Sequence, residues 1–98
     1  MANWRLKIDL SLPIIGSKEM DIEFTEFRDL MTSRLSKYVE QIYNIFGDVT
    51  KNKYEDLIEY LKYSKDISEW DEYMEVLYDF CDNYKIWIEQ NWINFNVI

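Results

Sequence analysis

The chain has 98 residues, of which 48% are hydrophobic and 17% aromatic, which predicts one folded domain over residues 1–98 and excludes a disordered chain. Its net charge of −8, from 19 acidic and 11 basic residues, argues against direct binding to nucleic acid or to an anionic membrane, since both attract positively charged surfaces. The sequence contains no His and one Cys, which removes the usual catalytic triads and most zinc sites.

The sequence also indicates where the protein works. Cys81 has no second cysteine to pair with, which suits a reducing compartment. The longest apolar run, Leu12–Ile15, is too short to span a membrane, and the N-terminus lacks the layout of a secretory signal. We therefore expect a cytoplasmic protein.

The first predicted element is a strand over Trp4–Leu12, where apolar and polar residues alternate with a period of two. Pro13 and Gly16 end it, and a polar connector follows over Ser17–Glu23. In this connector we expect Met20 and Ile22 to be packed beneath the chain.

Three amphipathic helices are predicted next. Thr25 is a candidate N-cap for a long helix that runs to Phe46, with Gly47 just beyond its end. A shorter helix is predicted over about Lys53–Tyr63, after Asn52. In the third, Ser68 is the candidate N-cap, Asp71 its capping-box partner, and Asn83 lies near the end.

The tail Lys85–Ile98 permits two interpretations. Ile86, Ile88 and Trp92 alternate as in a strand, and Glu89–Asn91 could be the turn of a hairpin; the rival interpretation continues the helix. We favour strand pairing with Trp4–Leu12, because a lone N-terminal strand would leave its backbone groups unpaired. The predicted fold class is therefore α+β: an N-terminal strand, three helices, and a C-terminal strand or hairpin beside the first strand.

The charge is concentrated in Asp66–Tyr84, which holds seven of the 19 acids and no Lys or Arg. The remaining 12 acids are nearly balanced by the 11 bases. On a helix most of these acids lie opposite the apolar residues, which include Trp70, and we take six of them as candidate partner-binding residues. They are Glu69, Asp71, Glu72, Glu75, Asp79 and Asp82.

This acidic stripe has two interpretations. It can be the solvated face of an ordinary amphipathic helix, although such a face usually mixes both signs of charge. It can instead be a docking surface for a basic protein. Tight binding would need aromatic anchors, and Tyr60, Tyr78 and Trp87 are the candidates, because they fall off the apolar stripes of their elements. Trp4 and Trp70 lie on predicted core faces, where we expect structural roles.

Chemical roles have weaker support. Glu72, Glu75 and Asp79 share one helix face, but a regular helix lacks the backbone carbonyls and glycine turn of a calcium loop. Cys81 falls on the apolar side of its helix, which favours a buried residue over a nucleophile. We expect no enzyme activity, no metal and no cofactor.

Several short motifs resemble small uncharacterised proteins of tailed bacteriophages. These motifs lie at both ends of the chain and in the first predicted helix, and the middle, Asp48–Asp66, does not take part. They are Trp4 with Ile8–Ser11, Phe24 with Phe27–Asp29, and Leu77–Asp82 with Ile86–Ile88. The resemblance implies a phage source, hence the host cytoplasm, and an inhibitor such as an anti-CRISPR or anti-restriction factor. In size and acidity the chain is also similar to small acidic immunity proteins.

Together these observations predict a non-catalytic module that binds a basic, nucleic-acid-handling protein through the acidic helix. One alternative is a structural or assembly protein that forms a homo-oligomer through aromatic surface. A second alternative is a small enzyme with a carboxylate site.

Overall fold

The computed structural model describes residues 6–10, 20–89 and 95–97. In this part of the chain, two strands come first, four helices follow, and two further strands come last, which confirms the α+β fold class. In chain order they are β1 (Leu6–Asp9), β2 (Met20–Ile22), α1 (Phe24–Ser36), α2 (Val39–Phe46), α3 (Asp48–Lys62), α4 (Ile67–Asn83), β3 (Ile86–Glu89) and β4 (Phe95–Val97).

The tail returns to the N-terminal strand, as predicted. β3 pairs with β1 in parallel, with Leu6 opposite Ile86 and Ile8 opposite Ile88. The backbone N–H of Leu10 extends this ladder by donating to Glu89 O at 2.7 Å. Parallel pairing needs a long connection between the two strands. Along the chain, α1, α2, α3 and α4 all come between β1 and β3 and provide that length.

Of the two forms allowed for the tail, the strand beside β1 is confirmed, and the alternative of a hairpin between two C-terminal strands is wrong, because β3 and β4 take different partners. β4 pairs in parallel with β2, with Met20 opposite Phe95 and Ile22 opposite Val97. The connector Ser17–Glu23 therefore contributes a short strand, and Ile22 is buried as expected. The expectations for Trp4, Leu12, Pro13, Gly16 and Trp92 lie outside the described residues.

The long first helix predicted from Thr25 to Phe46 is interrupted, so that one predicted helix appears as α1 and α2. It begins at Phe24 after Glu23, and Thr25 is not its cap. At the break, Lys37 and Tyr38 donate their N–H groups to carbonyls three residues back, in a tight turn.

The buried side chain of Tyr54 in α3 compensates for this break. Its hydroxyl donates to Leu35 O at 2.6 Å, and Tyr54 itself is fully buried. In an unbroken helix, Leu35 O would accept from the N–H group four residues ahead, whereas here it accepts from the Tyr38 N–H at 3.2 Å and from the Tyr54 hydroxyl. The hydroxyl thus binds a carbonyl at the point where the helical pattern stops, and this long-range contact is not visible in the local sequence.

α3 begins at Asp48, five residues before the predicted start at Lys53. Gly47 joins it directly to α2 at φ 93°, a left-handed geometry that glycine adopts without strain. Thr50 is buried in the first turns and continues the line of Tyr54, Ile58 and Leu61. Because the first residues of α3 are mostly polar, the sequence did not indicate that Thr50 faces inward. α3 lies centrally and contacts α1, α2 and α4.

The hydrophobic core takes buried side chains from α1, α2, α3 and α4 and from β1, β2 and β3. Phe27 of α1 contacts Trp70 of α4 edge to face, with ring centroids 5.3 Å apart. Trp70 is only 1% exposed, which confirms its predicted structural role. Arg28 of α1 donates to Ser64 O at 2.7 Å and so ties α1 to the connection between α3 and α4. These contacts hold α4 with one defined side facing the core.

Replacing Tyr54 with Phe is expected to lower the free energy of unfolding by about 0.5–1.5 kcal/mol, because Leu35 O loses one of its two hydrogen bonds while the ring stays in place. Urea denaturation would measure the change. Tyr60→Phe is the matched control, since Tyr60 is 57% exposed and its hydroxyl should contribute little. Equal stability of the two variants would contradict the role assigned to the Tyr54 hydroxyl.

Alkaline pH is expected to destabilise the protein through Cys81. Burial raises the pKa of this thiol to about 12 from 9.0, so the unfolded chain loses the proton at a lower pH than the folded one. The free energy of unfolding should therefore fall between pH 9 and 12, by up to about 1.4 kcal/mol per pH unit for this group. Cys81→Ala, compared with wild type by urea denaturation across this range, should lose that part of the slope.

Candidate functional site

The start of α4 is fixed by two side chains that lie before the predicted cap. Asp66 Oδ1 accepts from the Glu69 N–H at 2.9 Å, and Glu69 Oε1 accepts from the Lys65 N–H at 3.1 Å. The prediction that Ser68 caps the helix with Asp71 as partner is wrong, because the pair Asp66 and Glu69 offers the same chemistry two residues earlier. The helix consequently begins at Ile67 and gains part of a turn.

α4 has two sharply different sides. Its buried side consists of Trp70, Met74, Leu77 and Cys81. Trp70 and Cys81 were predicted to face inward, and the other two follow the same helical period. The opposite side, which we call the acidic face, consists of exposed carboxylates. These are Asp71, Glu72, Glu75, Asp79 and Asp82.

Glu69, the sixth predicted site residue, differs from the other five. It is partly buried, and its carboxylate accepts a hydrogen bond from the chain that leads into α4. Its charge still lies at the N-terminal end of the acidic face. The structure therefore gives Glu69 a capping role in addition to any role in binding.

No Lys or Arg among the described residues forms an ion pair with the acidic face. The three ion pairs in residues 6–10 and 20–89 lie elsewhere. They are Lys7–Glu89 at 2.8 Å, Arg28–Asp29 at 3.6 Å and Lys51–Glu55 at 3.4 Å. Because the carboxylates are exposed and lack such partners, they can act together on a charged partner.

An open groove of about 560 Å³ lies along one edge of the acidic face, where α4 meets β3. Two of the predicted aromatic anchors, Tyr78 and Trp87, line this groove together with Asp79 and Asp82. Trp87 is 47% exposed because it alternates with the inward-facing Ile86 along β3. Tyr78 is half-buried. The fold thus brings two aromatic side chains, two carboxylates and the ammonium group of Lys85 into one groove.

A second open groove, of about 680 Å³, lies along the other edge, between α3 and α4. The third predicted anchor, Tyr60, lines it, and so does Asp79, which therefore borders both grooves. Sequence patterns did not single out Asp56 and Val76, which also line this groove. The spacing of Asp56 four residues before Tyr60 was the available signal, since residues at this spacing share a helix face.

The surface around α4 carries one thiol and several carboxylates. Cys81 lines the first groove, but it is buried and burial raises the pKa of its thiol to about 12, so the reactive thiolate is scarce near neutral pH. Within residues 6–10, 20–89 and 95–97, no three acidic or cysteine side chains are grouped so that they could hold a metal ion. What the surface does offer is negative charge flanked by aromatic rings.

Comparisons with protein-family models, with curated proteins and with solved structures find no match for this chain. In the part of the chain that the structure describes, no helix combines the length and the apolar composition needed to cross a membrane.

The acidic face should lower the stability of the folded protein. Asp82 lies in the last turn of α4, where the helix dipole disfavours negative charge, and Asp79 lies three residues before it. We expect Asp82→Lys to raise the free energy of unfolding by about 0.5–1 kcal/mol, with a smaller gain at high salt.

Urea denaturation at low and high salt would measure this effect. Glu40→Lys is the matched control, because Glu40 lies in the first turn of α2, where the dipole favours an acid. That variant should be slightly less stable than wild type. If both substitutions changed stability in the same direction, the position of Asp82 in α4 would not be the cause.

Proposed function

We propose that this protein is a non-catalytic binding module that docks on a basic protein through the acidic face of α4 and Glu69. The observation that carries the proposal is the row of exposed carboxylates with no ion pair to described Lys or Arg residues, bordered on both edges by grooves with aromatic side chains. Charge steers the partner into place, and Tyr60, Tyr78 and Trp87 supply the contacts that hold it.

The charge density of this surface suits a partner that normally holds nucleic acid. Glu69 to Asp82 spans about 20 Å at a rise of about 1.5 Å per residue. A duplex of that length carries about 12 phosphate charges, at one per about 1.7 Å. The six carboxylates reach half of that density over a short length, so the helix can cover part of a nucleic-acid site.

We infer from this that the partner is a nucleic-acid-handling protein whose site the module blocks. The short motifs of the chain resemble proteins of tailed bacteriophages. We therefore propose that the protein is a phage-encoded inhibitor that acts on a host defence system in the cytoplasm. Anti-CRISPR and anti-restriction activity are the forms that such inhibition would take. Both follow from the proposed target chemistry and the motif resemblance together.

Exposed apolar side chains favour a second candidate function, self-assembly into a homo-oligomer. Val49 and Tyr63 are each 70% exposed, and Tyr60 and Val76 are 57% and 51% exposed. A surface of this kind can bury apolar area against a second copy. Self-association of that origin would not weaken at high salt, whereas docking by the acidic face would.

Charge reversal tests the proposal. The triple variant Glu72→Lys, Glu75→Lys and Asp79→Lys should fold and lose the partner, by about 100-fold or more in affinity, because attraction becomes repulsion. Co-purification from host cells at low and high salt, followed by a binding assay with the purified partner, would measure the loss. The assay should also show that the wild-type protein displaces nucleic acid from the partner.

A matched triple variant controls for the change in net charge. Glu26, Glu40 and Glu55 are exposed on α1, α2 and α3, and none of them lines either groove beside the acidic face. Their replacement by Lys should leave the affinity within about three-fold of wild type, since distant charges are screened. Equal losses in the two triple variants would refute the assignment to α4.

A further inference from the structure

Tyr60, which lines the groove between α3 and α4, belongs to an aromatic pair that negative charge alone does not require. The rings of Tyr60 and Tyr73 stack with centroids 5.7 Å apart and planes inclined by 28°. Tyr73 is partly buried, whereas Tyr60 is 57% exposed. Tyr73 therefore supports one face of the Tyr60 ring, and the rest of that ring is accessible from the groove.

Two carboxylates from different helices line the same groove. Asp56 lies one turn before Tyr60 on α3, and Asp79 comes from the acidic face of α4. Neither forms an ion pair with any residue within 6–10 and 20–89. Leu57, Val76 and Phe80 add apolar wall between them, and Lys53 adds one positive charge to the lining. A side chain in this groove would therefore meet apolar surface, an aromatic face and two acceptors, in a lining with one more acidic than basic group.

We propose that this groove receives an arginine side chain of the basic partner. The guanidinium group is planar and weakly hydrated, so it can stack on the Tyr60 ring while its N–H groups donate to Asp56 and Asp79. A lysine ammonium matches the charge but offers no planar surface and no bidentate donor pair. The groove thus discriminates between the two basic residues, which the acidic face does not do by itself.

This inference rests on the proposed function, and it adds the identity of one anchor residue on the partner. The remaining carboxylates of the acidic face would attract any basic surface. The α3–α4 groove would select partners in which an arginine projects at the right point. Aromatic and arginine residues are common among the few side chains that dominate interface energies, which agrees with this arrangement.

Two labelled peptides of equal length and charge test the proposal, one with Arg and one with Lys as its only charged residues. Fluorescence anisotropy at low salt should show that the wild-type protein binds the Arg peptide about three- to five-fold more tightly. Tyr60→Ala should reduce the affinity for the Arg peptide to that for the Lys peptide and leave the latter unchanged. Asp56→Asn should weaken binding of the Arg peptide more than that of the Lys peptide.

Two control variants keep this test independent of folding. Tyr60→Phe retains the ring and should retain the preference for arginine. Tyr63→Ala removes another tyrosine that is 70% exposed but does not line the groove, and it should bind both peptides as wild type does. Circular dichroism of each variant would show that α3 and α4 are intact.

The outcomes separate the failure of this inference from the failure of the proposed function. If the wild-type protein bound both peptides equally, or if Tyr60→Ala kept the preference, the arginine site would be overturned and the acidic face would stand. Binding of neither peptide at low salt would overturn both. Self-association of the protein that Tyr60→Ala abolished would assign the groove to a second copy and overturn the arginine site.

Discussion

The acidic face depends on how α4 is held against the core. Trp70, Met74, Leu77 and Cys81 are almost fully buried, and the ring of Phe27 packs against Trp70 at 5.3 Å. Burial of these side chains is the main favourable term that keeps α4 in place. Since the helix cannot rotate without exposing them, its opposite side must face solvent, and that side carries five carboxylates.

The carboxylates of the acidic face are therefore held close together although they repel one another. A helix with seven acids and no base within Asp66–Tyr84 forgoes the ion pairs at i,i+4 that usually support an exposed helix. Acidic side chains stabilise α4 only at its start, where Asp66 and Glu69 cap the helix. Under the proposed docking on a basic protein, this loss of stability would be offset when the partner neutralises the charge.

The strands and α3 place aromatic side chains on both edges of this surface. Parallel pairing of β3 with β1 turns Ile86 inward, and the alternation of the strand then directs Trp87 outward beside α4. On the other edge, α3 lies against α4 and brings Tyr60 onto Tyr73. The carboxylates and aromatic rings come from separate parts of the chain, so the site exists only in the folded protein.

The sequence by itself determined the α+β class, the alternation in β1, the inward and outward sides of α4, the burial of Cys81 and the exposure of Trp87, because each follows from a local period of two or 3.6 residues. Tertiary structure alone decided the break after Ser36, where the buried Tyr54 hydroxyl reaches Leu35 O, and the start of α3 at Asp48. It also decided that β3 and β4 pair with different strands and that Asp56, Tyr60 and Asp79 share one groove. Periodicity shows which side of an element is apolar, whereas contacts between distant residues depend on how the elements pack.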